Sequence, residues 1–195
     1  YRAWRSPDGD IAVSALRDEL FAALPPGMAV RDDAAHDNEH SVEGIAYFLK
    51  HARPDVEIVP VIVPAASFER FGDMASHFAA ALAGAMRQRG WRLGRDVAIV
   101  ISNDGTHYGE DFKYSPYGAG GVEAFLKAME HDRALMRERL SGPIAADKVR
   151  GFFSTVVDPA NPDQYRVPWC GRFAVTFGTL LLEATARNLG MKAPR

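Results

Sequence analysis

The sequence predicts an α/β layered sandwich with a mixed, mainly parallel sheet. Three observations carry this. Helical and strand patterns alternate along the chain. The two strand candidates are almost continuously apolar and β-branched, as in strands covered on both faces. The length of 195 residues, 47% of them apolar, corresponds to about 1.3 domains of ordinary size and hence to a single domain, residues 1–195, with a full core.

Up to Asp10 the chain is polar, with a turn marked by Pro7 and Gly9. From there Ile11, Leu16, Leu20 and Leu24 fit a short amphipathic helix closed by Pro25-Pro26-Gly27. Arg31 to His40 reads as a polar loop. Ser41 to His51 reads as a helix with Val42, Ile45, Phe48 and Leu49 on one face. Val56 to Val63 reads as a buried strand, with Pro60 requiring a bulge or an edge position because proline removes a ladder donor. Phe68 to Arg89 reads as a long alanine-rich helix stopped at Gly90, and Val97 to Ser102 as the clearest strand. A Gly- and Tyr-rich loop runs to Gly121. Helices are predicted over Val122 to Leu140 and Ala145 to Phe153, then a loop over Asp158 to Asp163. A final apolar helix opens at Trp169-Cys170-Gly171-Arg172 and runs through Leu189.

Lysine plus arginine total 23 and aspartate plus glutamate 25, for a net charge of −2. No basic excess points to nucleic acid or to an anionic membrane surface. No apolar run approaches the ~20 residues that span a bilayer, and the first ten residues hold no signal-peptide core. The single cysteine, Cys170, has no intramolecular disulfide partner, so a reducing compartment, the cytoplasm, is expected.

Three segments could carry chemistry. Ser102-Asn103-Asp104-Gly105-Thr106-His107-Tyr108-Gly109 lies just past the end of the clearest strand, where open α/β sheets place ligand crevices. If the turn curls back, Asp104 can orient His107 as an acid/base or a metal ligand; an Asx-type turn with a surface histidine is the plainer account. In Asn38-Glu39-His40-Ser41-Val42-Glu43, Asn38 or Ser41 could cap a helix, and capping accounts for Ser41 and Glu43 but not for His40, which gains nothing beside a helix N-terminus. His36 and His40 could pair on a metal only if the acidic run between them were helical. Cys170 sits at a helix threshold near Arg172, where a thiolate can be stabilised, although most free cysteines are small buried hydrophobes. His51, His77 and His131 read as surface or packing residues. Tyr108, Phe112, Tyr114 and Tyr117 could line a pocket or cover the core.

Taken in order, Glu39-His40-Ser41-Val42-Glu43, Ser102 to Gly109, and Cys170-Gly171-Arg172 resemble the Memo family, whose bacterial members are called AmmeMemoRadiSam system protein B. The pattern extends to Ile58-Val59-Pro60-Val61-Ile62-Val63 and Phe112-Lys113-Tyr114-Ser115. The family resembles class III extradiol dioxygenases, non-haem iron enzymes of α/β fold.

The resemblance implies that His107 and Asp104 are catalytic and that Cys170, with His107, lies at the metal. It implies that Glu39, His40 and Tyr108 line the same pocket. A transition metal is implied, iron first and copper or zinc next, because thiolate and imidazole are softer than the usual oxygenase triad. Asn103 and Thr106 replace serines usual in the family, and Ala174 a frequent proline. Two further metal-site histidines, in P-H-A-G-Y-like and P-S-H-H-like segments, are absent. The chain opens where the family's sequence is already under way, and the end at Lys192-Ala193-Pro194-Arg195 comes early. An incomplete copy of the fold, truncated at both ends, is therefore expected, with metal bound weakly or not at all by this chain. Two functions follow. One is a metal-dependent, dioxygenase-like or redox enzyme acting on an unknown small molecule. The other is a non-catalytic protein that uses the same pocket to bind a metal or a peptide.

Overall fold

The chain opens with a β-hairpin. In the computed structural model, which describes residues 1–192 and 194, β1 (Ala3–Ser6) pairs antiparallel with β2 (Gly9–Val13), Trp4 facing Ile11. The turn closes with Gly9 at φ +102° and the Ser6 hydroxyl donating to the Gly9 carbonyl at 2.7 Å. Ile11 is fully buried in this strand, so the expected helix over Ile11 to Leu24 is shorter. It is α1 (Leu16–Ala23), burying Leu16 and Leu20. Ile11 and Val13 follow a strand's period of two, and the 3.6-residue period takes over only at Leu16.

Two short helices occupy the polar region. The expected loop contains α2 (Asp33–Asp37), whose first turn is capped by Asp32 accepting from the Ala35 amide at 2.9 Å. Helix α3 (Ser41–Ala52) falls where the periodicity placed it. Its N-terminus is satisfied by Glu39, not by Asn38 or Ser41. Glu39 Oε2 accepts from the Ser41 amide, the Ser41 hydroxyl and the Val42 amide at 2.7, 2.6 and 3.0 Å. Phe48, expected on the buried face, is 79% exposed, and Ala46 is the buried residue of the helix.

The core is helical. Helix α4 (Phe68–Arg89) starts at Ser67, whose hydroxyl accepts from the Arg70 amide. It ends at Gly90, left-handed at φ +64°, with the Trp91 amide returning to the Met86 carbonyl at 2.9 Å. Helix α5 (Gly121–Leu135) continues through one π turn to Leu140, and α6 (Ala146–Val156) runs one residue triplet beyond the predicted Phe153. Helix α7 (Arg172–Asn188) crosses α4 along most of its length. Phe71, Ala75 and Ala79 of α4 meet Val175, Phe177, Leu181 and Ala184 of α7 and Val149, Phe152 and Val156 of α6 in one buried cluster. A second cluster joins Leu16 and Leu20 to Leu82, Ala85 and Met86.

The architecture is mixed α/β, but its sheets are small. Strand β3 (Glu57–Ile58) pairs with β2, the one parallel strand pairing among the described residues. The predicted loop at Asp158 is a small hairpin of β4 (Val157–Asp158) and β5 (Asn161–Tyr165). The expected strand over Val56 to Val63 is reduced to Glu57–Ile58, and Val61 and Ile62 are 44% and 40% exposed. Val97 to Ser102, the clearest strand expected, forms no strand; its one pairing is a bridge from Val97 to Leu93. The segment still alternates: Ile99 and Ile101 pack on the helical core while Val100 stays 52% exposed. Side-chain alternation needs only one apolar surface, here α7, whereas a ladder needs a second strand at hydrogen-bonding distance.

Candidate functional site

The loop that follows Val97 to Ser102 and the loop that enters α7 are zipped together by backbone. Thr106 bridges antiparallel to Trp169. The His107 amide donates to the Pro168 carbonyl, and the Cys170 amide donates to the Gly105 carbonyl, both at 2.9 Å. Asn103 fastens the same junction from the other side: its Oδ1 accepts from the buried Trp169 Nε1 at 2.5 Å and from the Gly171 amide at 3.1 Å. Glycine is required at 171, because a Cβ there would stand 2.3 Å from Asn103 Oδ1.

The zipper brings Asp104, His107 and Cys170 together. One ligand atom from each lies within 4.8 Å of the others, and this is the one group of three potential metal donors among the described residues. His107 Nε2 stands 3.6 Å from Asp104 Oδ2, too far for a hydrogen bond. The edge of the His107 ring meets Phe112, with centroids 4.5 Å apart. Cys170 is an exposed residue. Partial burial of its thiol, then the negative charge of Asp104, push its pKa up, and Arg172 pulls it down. Without a cation at the site the sulfur is therefore held as a thiol, and a cation would reverse that balance.

The other expected pocket residues go elsewhere. The Tyr108 hydroxyl turns under the loop and donates to Asp132 Oδ1 at 2.9 Å, and its ring stands 5.6 Å from Tyr114 and 6.3 Å from Tyr117. Burial and then the Asp132 hydrogen bond push its pKa well up. Glu39 lines a cavity of about 750 Å³ together with Trp4, His36, Glu43 and Tyr47. Asp104, His107 and Cys170 do not line it, so the structure does not bring Glu39 to them. His40, exposed at the start of α3, makes no cap. His36 contributes to α2 and stacks edge-on against Trp4 at 5.4 Å, and because α2 ends at Asp37 it shares no helix with His40.

Asp132 escaped the sequence reading. Its Oδ1 accepts from Thr106 Oγ1 at 2.8 Å and from Tyr108, the two residues flanking His107, and lies 3.2 Å from His131 Nδ1. One carboxylate on α5 therefore fixes the loop from beneath. No local pattern marks it; the only available signal is an acidic side chain next to a histidine inside an otherwise amphipathic helix.

A mixed α/β fold thus carries, on two joined loops, a carboxylate, an imidazole and a thiol that could hold a metal ion. The chain belongs to the Memo-like family, whose profile, described as Memo-like protein, matches residues 1–190. It is 32% identical over 142 residues to a MEMO1 family protein of Thermococcus onnurineus, covering 71% of this chain and 46% of that protein. A MEMO1 family protein of Thermococcus kodakarensis is 31% identical over 157 residues, 78% of this chain and 49% of the relative. One from Pyrococcus abyssi is 29% identical over 162 residues, 80% and 53% respectively. The chain spans about half the length of the curated relatives it matches. No solved structure matches it.

Proposed function

We propose that Asp104, His107 and Cys170 hold a transition-metal ion, and that the protein is a metal-dependent, dioxygenase-like or redox enzyme. The observation that carries this is the convergence of the three donors across two loops fastened to each other. The donor set fits. One carboxylate, one imidazole and one thiolate suit iron, copper or zinc, and the 3.6 Å between His107 and Asp104 is close to the spacing of two ligands on one first-row ion. Asp104 is a third donor beyond the two assigned to the metal on sequence, which favours retention of an ion in this chain.

The ion would supply Lewis acidity and, if iron or copper, redox capacity beside the substrate. The chain's own residues do the rest. His107 Nε2 can take or give a proton, with the Asp104 carboxylate 3.6 Å away. Phe112 packs against the imidazole, with ring centroids 4.5 Å apart. Asn103 and Asp132 hold the loop so that neither histidine nor thiol must be ordered on binding. Use of Cys170 as a ligand fits a reducing compartment such as the cytoplasm, and no described helix is long and apolar enough to cross a membrane.

The openness of the site favours a second reading. Asp104 and Cys170 are both exposed, which suits docking of a peptide or other ligand without turnover. Metal analysis after anaerobic loading with ferrous iron, cupric copper or zinc tests the first element of both. One equivalent should be retained, and lost at Cys170→Ser or His107→Ala in proteins whose circular dichroism is unchanged. Retention of the same equivalent by both variants would place the metal elsewhere. Oxygen uptake with catechol-type substrates by the iron-loaded protein supports the enzyme, and silence across a broad panel supports the binding protein.

A further inference from the structure

Two runs of this chain have the composition of strands and no ladder. From Val59 to Ala66 and from Ala98 to Ser102 the backbone runs without turn or helix, and none of its amides or carbonyls takes part in a hydrogen bond among the described residues. Both runs lie on the same helical layer. Val59 and Val97 pack against the cluster that holds Leu82, Ala85 and Met86, and Val63 and Ile101 against the cluster that holds Phe71, Ala75 and Ala79, all on α4. Each run therefore starts over the C-terminal part of α4 and ends over its N-terminal part, and α4 itself connects them. That is the plan of a β–α–β unit with parallel strands.

The unit is open. Neighbouring strands stand about 4.8 Å apart and bond to each other, and these two runs do not. Each offers the other a free edge, and sequential strands are direct neighbours in only roughly two-thirds of cases. Pro60 does not spoil that edge. The Ile58 carbonyl accepts from the Ser14 amide at 2.9 Å, so Ile58 faces β2. Successive residues of a parallel strand turn their backbone groups to alternate edges. Continued as a strand, Pro60 faces β2 as well, while Val59, Val61 and Val63 turn their amides and carbonyls to the free side. The outward face is uncovered too. Val61, Ile62 and Val100 are 44%, 40% and 52% exposed, whereas strands of a parallel sheet are covered on both faces.

We propose that Val59–Val63 and Val97–Ser102 form a strand-acceptor site. Its occupant is an extended, β-branched segment from the half of the Memo-like polypeptide that this chain does not span, inserted between the two runs and bonded to both. The relatives carry about as much chain again as the part matched here, enough for one strand and for a layer over the outward face. Main-chain hydrogen bonds to an exposed edge give such an addition its affinity, and alternate side chains give it specificity. A second copy fits the site poorly. It would bring the same two runs with its own helices already fixed to them, and so no free strand to pass between. The Val97–Ser102 run leads straight into Asp104 and His107, so a strand bonded beside it also braces the loop of the candidate site. The proposal goes beyond the metal reading and does not depend on it.

The test is amide hydrogen exchange read by mass spectrometry. In the chain alone, the amides of Val59–Val63 and Ala98–Ser102 should exchange nearly as fast as open chain while α4 and α7 are protected. The probe is the polypeptide of the Thermococcus onnurineus MEMO1 family protein that lies outside the 142 matched residues, co-expressed with this chain. A one-to-one complex should form, and exchange should slow by about tenfold or more in both runs. Val100→Pro removes a ladder donor and should abolish the complex. Because that proline could disturb the fold, Val100→Lys is the second variant. It keeps the backbone, sets a charge on the face to be covered, and should weaken the complex by about tenfold or more with circular dichroism unchanged. Three results would overturn the proposal. One is the absence of a complex, another a complex that protects neither run or only one of them. The third is protection in the chain alone that rises with its concentration, which would make a second copy the occupant.

Discussion

Glu39 shows how much one side chain does at the residue scale. A single carboxylate oxygen takes three donors at the start of α3, the work a capping residue does. Burial by itself raises the pKa of the group, but the hydrogen bonds from the Ser41 hydroxyl and the Val42 and Ser41 amides outweigh it, so the folded pKa lies below the ordinary glutamate value. A carboxyl depressed in the folded state contributes stability that is present above its unfolded pKa, about 4.3, and is lost as pH falls through the folded pKa. The stability gap between the wild type and Glu39→Gln should accordingly be wider at pH 7 than at pH 3. Urea midpoints at both pH values measure it; a gap independent of pH would mean that shape, not charge, makes the cap. The motif around Glu39 was visible in the sequence. Its role as the cap was not, because a side chain can reach forward two or three residues only once the backbone has turned.

Two helix glycines make opposite predictions at the scale of elements. Gly84 in α4 has nothing within 4 Å of the place a Cβ would occupy, so Gly84→Ala should stabilise by about 0.5–1 kcal/mol through reduced chain entropy. Gly178 in α7 lies under Ile101, and a Cβ there would stand 2.7 Å from Cγ1 and 2.8 Å from Cδ1 of that residue. Gly178→Ala should therefore destabilise, by about 1–3 kcal/mol as overpacking does. Combining it with Ile101→Ala should recover part of the loss, and thermal melts of the four proteins measure the coupling. This contact is also why Val97 to Ser102 runs extended without a ladder. The glycine lets the chain lie directly on a helix, so the apolar alternation is satisfied before any strand arrives. The same alternation in the sequence could not distinguish a helix surface from a neighbouring strand.

For the whole molecule, stability resides in the crossing of α4, α6 and α7, not in the sheets. Phe71 and Phe152 are fully buried there, while Phe48 on α3 is 79% exposed. Phe71→Ala should cost about 3–5 kcal/mol, whereas Phe48→Ala should fall within about 0.5 kcal/mol of the wild type. Comparable losses from the two would show that α3 packs in solution against a surface not visible here. The loops of the site hang from this core through Trp169, which is buried against Phe152 at 5.4 Å. Damage to the helical crossing therefore has a direct route to the site through this side chain.

The sequence by itself determined the longer helices and the family. Ser67 and Gly90 bracket α4 where the pattern placed it, Trp169-Cys170-Gly171-Arg172 opens α7, and the segments quoted for the family resemblance belong to a chain whose profile match covers residues 1–190. These signals are local: capping, periodicity and short motifs are written in neighbouring residues. Only the tertiary structure decided which of the candidates meet. Asp104 and His107 reach Cys170 because Asn103 accepts from Gly171, 68 positions away, and because a glycine there leaves room. Tyr108 left the group for Asp132, and Glu39 went to a cavity beside Trp4. The sheet, too, was decided globally. A strand's ladder is a contract with a second segment, and the apolar runs at Val59 to Val63 and Val97 to Ser102 state only half of it.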